Sequence, residues 1–103
     1  MFRGVTIGMR LPSKEIAREF TVRGRVQGVG FRWFVKNAAD ELGLKGFVRN
    51  EADGRVFVYA AGTEAKLSQL AGRLHRGPPF AEVRGVDERE AVVQQYGAFE
   101  IEG

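Results

Sequence analysis

The stretch from Glu19 to Leu42 restricts the fold of this chain most, because the hydrophobic period changes inside it. From Glu19 to Val26 apolar and polar side chains alternate, the signature of a half-buried strand. From Phe31 onward the apolar residues Phe31, Phe34, Val35, Ala38 and Leu42 fall on one helical stripe. Between the two patterns lie Gln27-Gly28-Val29-Gly30, so a strand becomes a helix within one short glycine turn. The sequence therefore predicts a strand over 19–26 and a helix over 31–42, with Gly43 ending the helix and Leu44 packing back beyond it. Phe20, Val22 and Val26 are expected to face the helices, and Gly24 to keep that side clear. Trp33 falls off the stripe. It is expected to pack against neighbouring surface, with flanking a substrate as the other reading.

A turn of this kind has a chemical use. The first amides of a helix have no partner inside it, and with the helix dipole they attract an anion. Free amides in a tight loop can form a concave nest. Arg32 sits in the first helical turn, where a cation opposes the dipole. A bound anion would account for it, since the guanidinium fork matches phosphate. An ion pair with Glu19 or Glu51 is the plainer reading. Two common phosphate motifs do not fit. Gly28-Val29-Gly30-Phe31-Arg32-Trp33 lacks the last glycine of a dinucleotide fingerprint, and no Lys-Ser or Lys-Thr exists for a Walker A loop.

Downstream, strands are predicted at Lys45–Asn50 and about Arg55–Ala61, joined by a hairpin at Asp53-Gly54. Thr63 can cap a second helix with the stripe Leu67, Leu70, Ala71 and Leu74, ended by Gly77-Pro78-Pro79. A fourth strand follows at about Ala81–Arg89, where the three-residue spacing of Val83 and Val86 predicts a bulge. Phe99-Glu100-Ile101 reads as a short closing strand. The order is βαββαβ plus one strand, an α+β fold with two helices on one face of a mainly antiparallel sheet. A strand–helix–strand crossover makes the first two strands parallel. That brings the glycine loop and Asn50 to the same sheet edge. By residue type alone, Asn50 is a turn residue at a strand end.

Other chemistries find little support. There is no cysteine, hence no thiolate nucleophile or thiolate metal site. The one histidine, His75, belongs to the last turn of the second helix and reads as surface. Ser13 and Ser68 have no base near them in sequence. With 103 residues, 44% of them hydrophobic, the chain supports one domain and one core. No apolar run reaches membrane-spanning length and no signal-peptide core is visible, so the cytoplasm is the expected compartment. Residues 1–36 carry eight Lys/Arg against two Glu, net +6, and the rest carries eight against eleven, net −3. Positive charge around the loop would draw in a small anion.

Gly24-Arg25-Val26-Gln27-Gly28-Val29-Gly30-Phe31-Arg32, followed by Gly46-Phe47-Val48-Arg49-Asn50 and Asp53-Gly54-Arg55-Val56, closely resembles the acylphosphatase family. The likeness runs from about Phe20 to Ile101. It implies a ferredoxin-like sandwich over residues 18–103, with 1–17 as a flexible N-terminal extension. It implies hydrolysis of acyl phosphates to a carboxylate and inorganic phosphate, without metal or cofactor. Gln27, Gly28, Val29, Gly30, Phe31 and Arg32 would hold the phosphate, and Asn50 would position the attacking water. Inorganic phosphate or sulfate would compete, and a monomer is expected. Arg25 and Gln27 also admit a purely structural role in the turn.

The alternative is a non-catalytic module for anions or RNA on the same fold. It would call for an aromatic RNA-binding pattern that Gly46-Phe47-Val48-Arg49 and Arg55-Val56-Phe57-Val58 only echo. A segment of a larger carbamoyl-transfer protein is disfavoured by length. The departures from the family are the N-terminal extension and a Glu102-Gly103 ending without a basic residue.

Overall fold

The computed structural model describes residues 14–103. Its elements are β1 (Ile16–Arg25), α1 (Phe31–Leu42), β2 (Lys45–Asn50), β3 (Val56–Gly62), α2 (Glu64–Arg76), β4 (Glu82–Ala91) and β5 (Phe99–Glu102). The five strands form one sheet in the order β4-β1-β3-β2-β5. β3 lies antiparallel between β1 and β2, so those two run parallel with their C-terminal ends at one edge. β5 joins β2 in parallel. This is the ferredoxin-like α+β arrangement with one strand added.

The apolar periods dictate the layers. Phe20 and Val22 of β1, Val48 of β2 and Val56 and Val58 of β3 face the helices and are wholly buried. They meet Phe31, Val35 and Leu42 of α1 and Leu67, Leu70 and Leu74 of α2 in one core. Full burial of one such side chain stabilises the fold by roughly 1.5–3 kcal/mol. α1 ends at Gly43, with the Leu44 amide returned to the Ala39 carbonyl at 2.9 Å.

β1 starts earlier than expected. Of the predicted flexible extension, residues 1–13 lie outside the described residues. Ile16 and Ala17, however, are already in the strand, where Ala17 pairs with both Ala61 and Ala91. Two flanking strands reach that far, so their ladders carry β1 with them, and the small Ala17 side chain is buried on the far face. The bulge in β4 is present. Arg23 pairs with Gly85 and Gly24 with Val83, which leaves Arg84 as the extra residue. Val83 and Val86 thereby both pack on the core. Gly24 sits against this bulge, where a Cβ would fall 2.1 Å from the Glu82 carbonyl oxygen. Only glycine permits that approach.

The sheet face away from the helices is partly closed. The Tyr59 hydroxyl donates to the Val92 carbonyl at 2.6 Å and accepts the Gln94 amide at 2.7 Å, which pulls the segment after β4 across the sheet. Tyr96 packs there on Phe47 and Tyr59.

Candidate active site

The turn after β1 is built on two left-handed residues, Gly28 (φ 75°) and Gly30 (φ 79°), separated by Val29. Alternation of this kind points successive amides inward, the geometry of an anion nest. The first intrahelical bond of α1 runs from the Phe34 amide to the Gly30 carbonyl. Among the described residues, the amides from Gly28 to Trp33 donate to no backbone carbonyl. Gly30 is the N-cap and offers no side-chain cap, and the first turn holds no acidic residue. α2 shows how this chain finishes an ordinary helix. There the Thr63 hydroxyl accepts the Lys66 amide at 3.3 Å, and Glu64 lies in the first turn. The start of α1 has neither and carries Arg32 instead, which suits a bound anion.

A cleft of about 240 Å³ opens at this point, lined by Val26, Gly28, Gly30, Phe31, Arg32, Trp33 and Asn50. Topology alone brings Asn50 there. The C-terminal end of β2 lies beside that of β1 across β3, and Asn50 is exposed at it.

Arg32 is held from behind. Its Nη1 donates to the carbonyl oxygens of Gly103 at 3.0 Å and Glu102 at 3.3 Å. Nε and Nη2 make no bond among the described residues, so the bidentate edge stays available. Lys36, one turn on, donates to the Phe99 carbonyl at 3.1 Å and to Asp40 at 2.9 Å. β5 thus anchors α1 at two points. The ion pairs considered for Arg32 do not form, because Glu19 takes Arg89 and Glu51 takes Arg49. Contact with the chain ending runs through backbone carbonyls and needs no basic side chain there.

Gln27 and Val29 do not line the cleft. Gln27 gives both amide hydrogens to the β2–β3 hairpin, to the carbonyls of Glu51 (2.8 Å) and Arg55 (2.9 Å). Its side chain thereby braces the loop, the structural role in the turn that the sequence also admitted. Val29 is partly buried against the core. The hairpin itself is stiffened by Asp53, which accepts the Arg55 amide at 3.1 Å and pairs with its guanidinium. The Arg55 side chain first, then its amide, hold the Asp53 carboxyl below its usual 3.8. Asp87 is lowered by the hydrogen bond from Arg23.

Arg32 is the only ionisable residue of the lining. Of the two readings of Trp33, packing against neighbouring surface fits poorly, since it is 63% exposed at the cleft. Its adjacency to Arg32, off the core stripe, was the available signal. The backbone of β5 carried no signal at all. Among the described residues, no three His, Cys, Asp or Glu side chains gather as a metal site, and no helix is long and apolar enough to cross a membrane.

Comparison with known proteins places the chain in a family. A family model described as Acylphosphatase matches residues 18–101. An acylphosphatase of Solibacter usitatus is 56% identical over 85 residues, covering 82% of this chain and 88% of that protein. One from Archaeoglobus fulgidus is 49% identical over 86 residues, covering 84% and 97%. The solved acylphosphatase of Coxiella burnetii superposes with a TM-score of 0.83 at 40% identity, covering 85% of this chain and 93% of that one.

Proposed function

This chain belongs to the acylphosphatase family, and from that premise we propose how its residues hydrolyse an acyl phosphate. The phosphoryl group sits in the loop from Gly28 to Arg32. Its oxygens accept the unpaired amides and the Nε/Nη2 edge of Arg32, whose other nitrogen is fixed by the Glu102 and Gly103 carbonyls. Asn50 holds a water at the other wall of the cleft through its side-chain amide. The water oxygen forms the new bond to phosphorus as the bond to the carboxyl oxygen breaks. The electron pair leaves on a carboxylate, a group whose acid has a pKa of about 4, so departure needs no proton. The proton of the water passes to a phosphoryl oxygen, since among the described residues no carboxylate or imidazole lines the cleft to take it. Catalysis then comes from positioning and from donors aimed at the charge that develops.

The observation that carries this reading is the contrast between the two helices. α2 is capped by its own side chains, while α1 begins with free amides and an arginine at a cleft. All the proposed contacts come from one chain, so a monomer suffices. The cytoplasm is the proposed compartment, which cell fractionation tests. The RNA-binding alternative is disfavoured by the far sheet face. The Phe47 ring is stacked on Tyr59 there, and the Arg49 guanidinium lies 4.7 Å from the centre of Phe57, so those faces are occupied from within.

The test is turnover of a synthetic acyl phosphate with EDTA present and absent. Equal rates are expected, with inorganic phosphate and sulfate as competitive inhibitors. Activity that EDTA abolishes would overturn the metal-free mechanism.

A further inference from the structure

Trp33 is the one large apolar side chain that the cleft presents to a ligand. It is 63% exposed, whereas Val26 and Phe31, also in the lining, are 1% and 2% exposed. The two lining glycines have no side chain, and Arg32 and Asn50 are polar. Trp33 belongs to neither hydrophobic cluster. Phe80 and Val92 are exposed too, but neither lines the cleft.

A molecule anchored by its phosphate in the loop therefore meets one apolar surface beyond that anchor. Among the described residues no second cation lines the cleft to meet another carboxylate on the acyl group. A flat or extended apolar acyl group gains the indole face. We propose that Trp33 is the acyl-group selector of this enzyme, favouring acyl phosphates with aromatic or extended apolar acyl groups. The inference rests on the placement of the phosphoryl group in the Gly28–Arg32 loop. The contact persists from bound substrate to transition state, so its loss falls mainly on KM.

The experiment compares benzoyl phosphate with acetyl phosphate in wild type, Trp33→Ala and Trp33→Phe, each with a melting curve. The ratio of kcat/KM for benzoyl over acetyl phosphate should fall roughly threefold to tenfold in Trp33→Ala, the scale of one aromatic pair. Trp33→Phe should restore most of it. Two non-hydrolysable analogues supply a second readout. Phenacylphosphonate should inhibit wild type more tightly than acetonylphosphonate and lose that advantage in Trp33→Ala. The chain has a single tryptophan, so phenacylphosphonate should also perturb its fluorescence directly.

An unchanged substrate ratio in a folded Trp33→Ala protein overturns the selector. Should the alanine variant fail to fold, Trp33→Gln carries the same comparison. A wild-type protein that cleaves neither compound overturns the reading of the site itself, and this inference with it.

Discussion

Arg32 and Asn50 line one cleft but take different parts in the proposed reaction, so their loss should read differently. Arg32 meets charge that is present before and during bond breaking. Arg32→Ala should lose phosphate affinity and turnover together, with kcat down by at least roughly 10²–10³-fold, the scale of one lost transition-state donor. In the proposed mechanism Asn50 holds the water. Asn50→Ala should keep phosphate affinity near wild type and lose kcat on a similar scale. Phosphate titration and acyl phosphate turnover on folded variants separate the two. A folded Asn50→Ala enzyme with wild-type kcat would return Asn50 to the role of a turn residue. Gly30 tests the nest. A Cβ there meets nothing within 4 Å, so only its left-handed φ resists a side chain. Gly30→Val should cost about 1–3 kcal/mol of strain and weaken phosphate binding more than it lowers Tm. Unaltered phosphate affinity in the folded variant would remove the nest.

At the scale of elements, the β2–β3 hairpin and the glycine loop act as one unit through Gln27. Gln27→Leu removes one of the two donors to each of the Glu51 and Arg55 carbonyls, which keep only the Gly54 and Glu51 amides. At about 0.5–1.5 kcal/mol for each hydrogen bond, stability should fall by roughly 1–3 kcal/mol. Turnover should fall as well, because both the nest and Asn50 adjoin that clamp. A variant with wild-type Tm and kcat would show that the clamp is idle. The hairpin also carries a pH signature. Folding lowers the Asp53 pKa from 3.8, chiefly through the Arg55 side chain. The unfolded chain therefore binds this proton more readily than the folded one. The stabilisation is complete above the unfolded value and is lost as pH falls through the lowered folded value. Asp53→Asn keeps an acceptor for the Arg55 amide but drops the charge. Its Tm should lie below wild type at neutral pH and converge with it in acid. A gap in Tm that persists in strong acid would assign the effect to the turn and not to the ion pair.

The whole molecule depends on its fifth strand. Phe99 is buried in the main core, and its carbonyl receives Lys36, so β5 holds both the sheet edge and α1. Phe99→Ala should cost about 3–5 kcal/mol, a large share of a small domain's stability. It should also weaken phosphate binding, because Arg32 leans on the end of the same strand. Denaturant melts with and without phosphate measure both effects. A small loss of stability would mean that β5 stands outside the cooperative unit. Charge is another property of the assembled molecule. Of the six described cations up to Lys36, three are paired: Arg18 with Glu64 and Glu88, Arg23 with Asp87, and Lys36 with Asp40. Arg25 and Arg32 have no carboxylate partner among the described residues, so the field that reaches the cleft is narrower than the charge count suggests.

The sequence by itself determined the elements, the loop and the meeting of Arg32 with Asn50 at one cleft. Helical and strand periods are local, and they placed α1 and β2 at their observed limits, with β3, β4 and β5 within two residues. The valine spacing foretold the bulge, because a strand cannot otherwise turn residues 83 and 86 to one face. Order alone brought Asn50 to the glycine loop, since a crossover leaves parallel strands with their ends together. What depended on partners far along the chain was decided only by the tertiary structure. β1 extends back to Ile16 because two neighbouring strands offer it ladders there. The Gln27 side chain turns to the hairpin because two carbonyls 24 and 28 residues away converge on its amide. The grip of β5 on Arg32 joins residues 70 and 71 apart through backbone oxygens. Every residue has such an oxygen, so no side-chain pattern could have announced that contact.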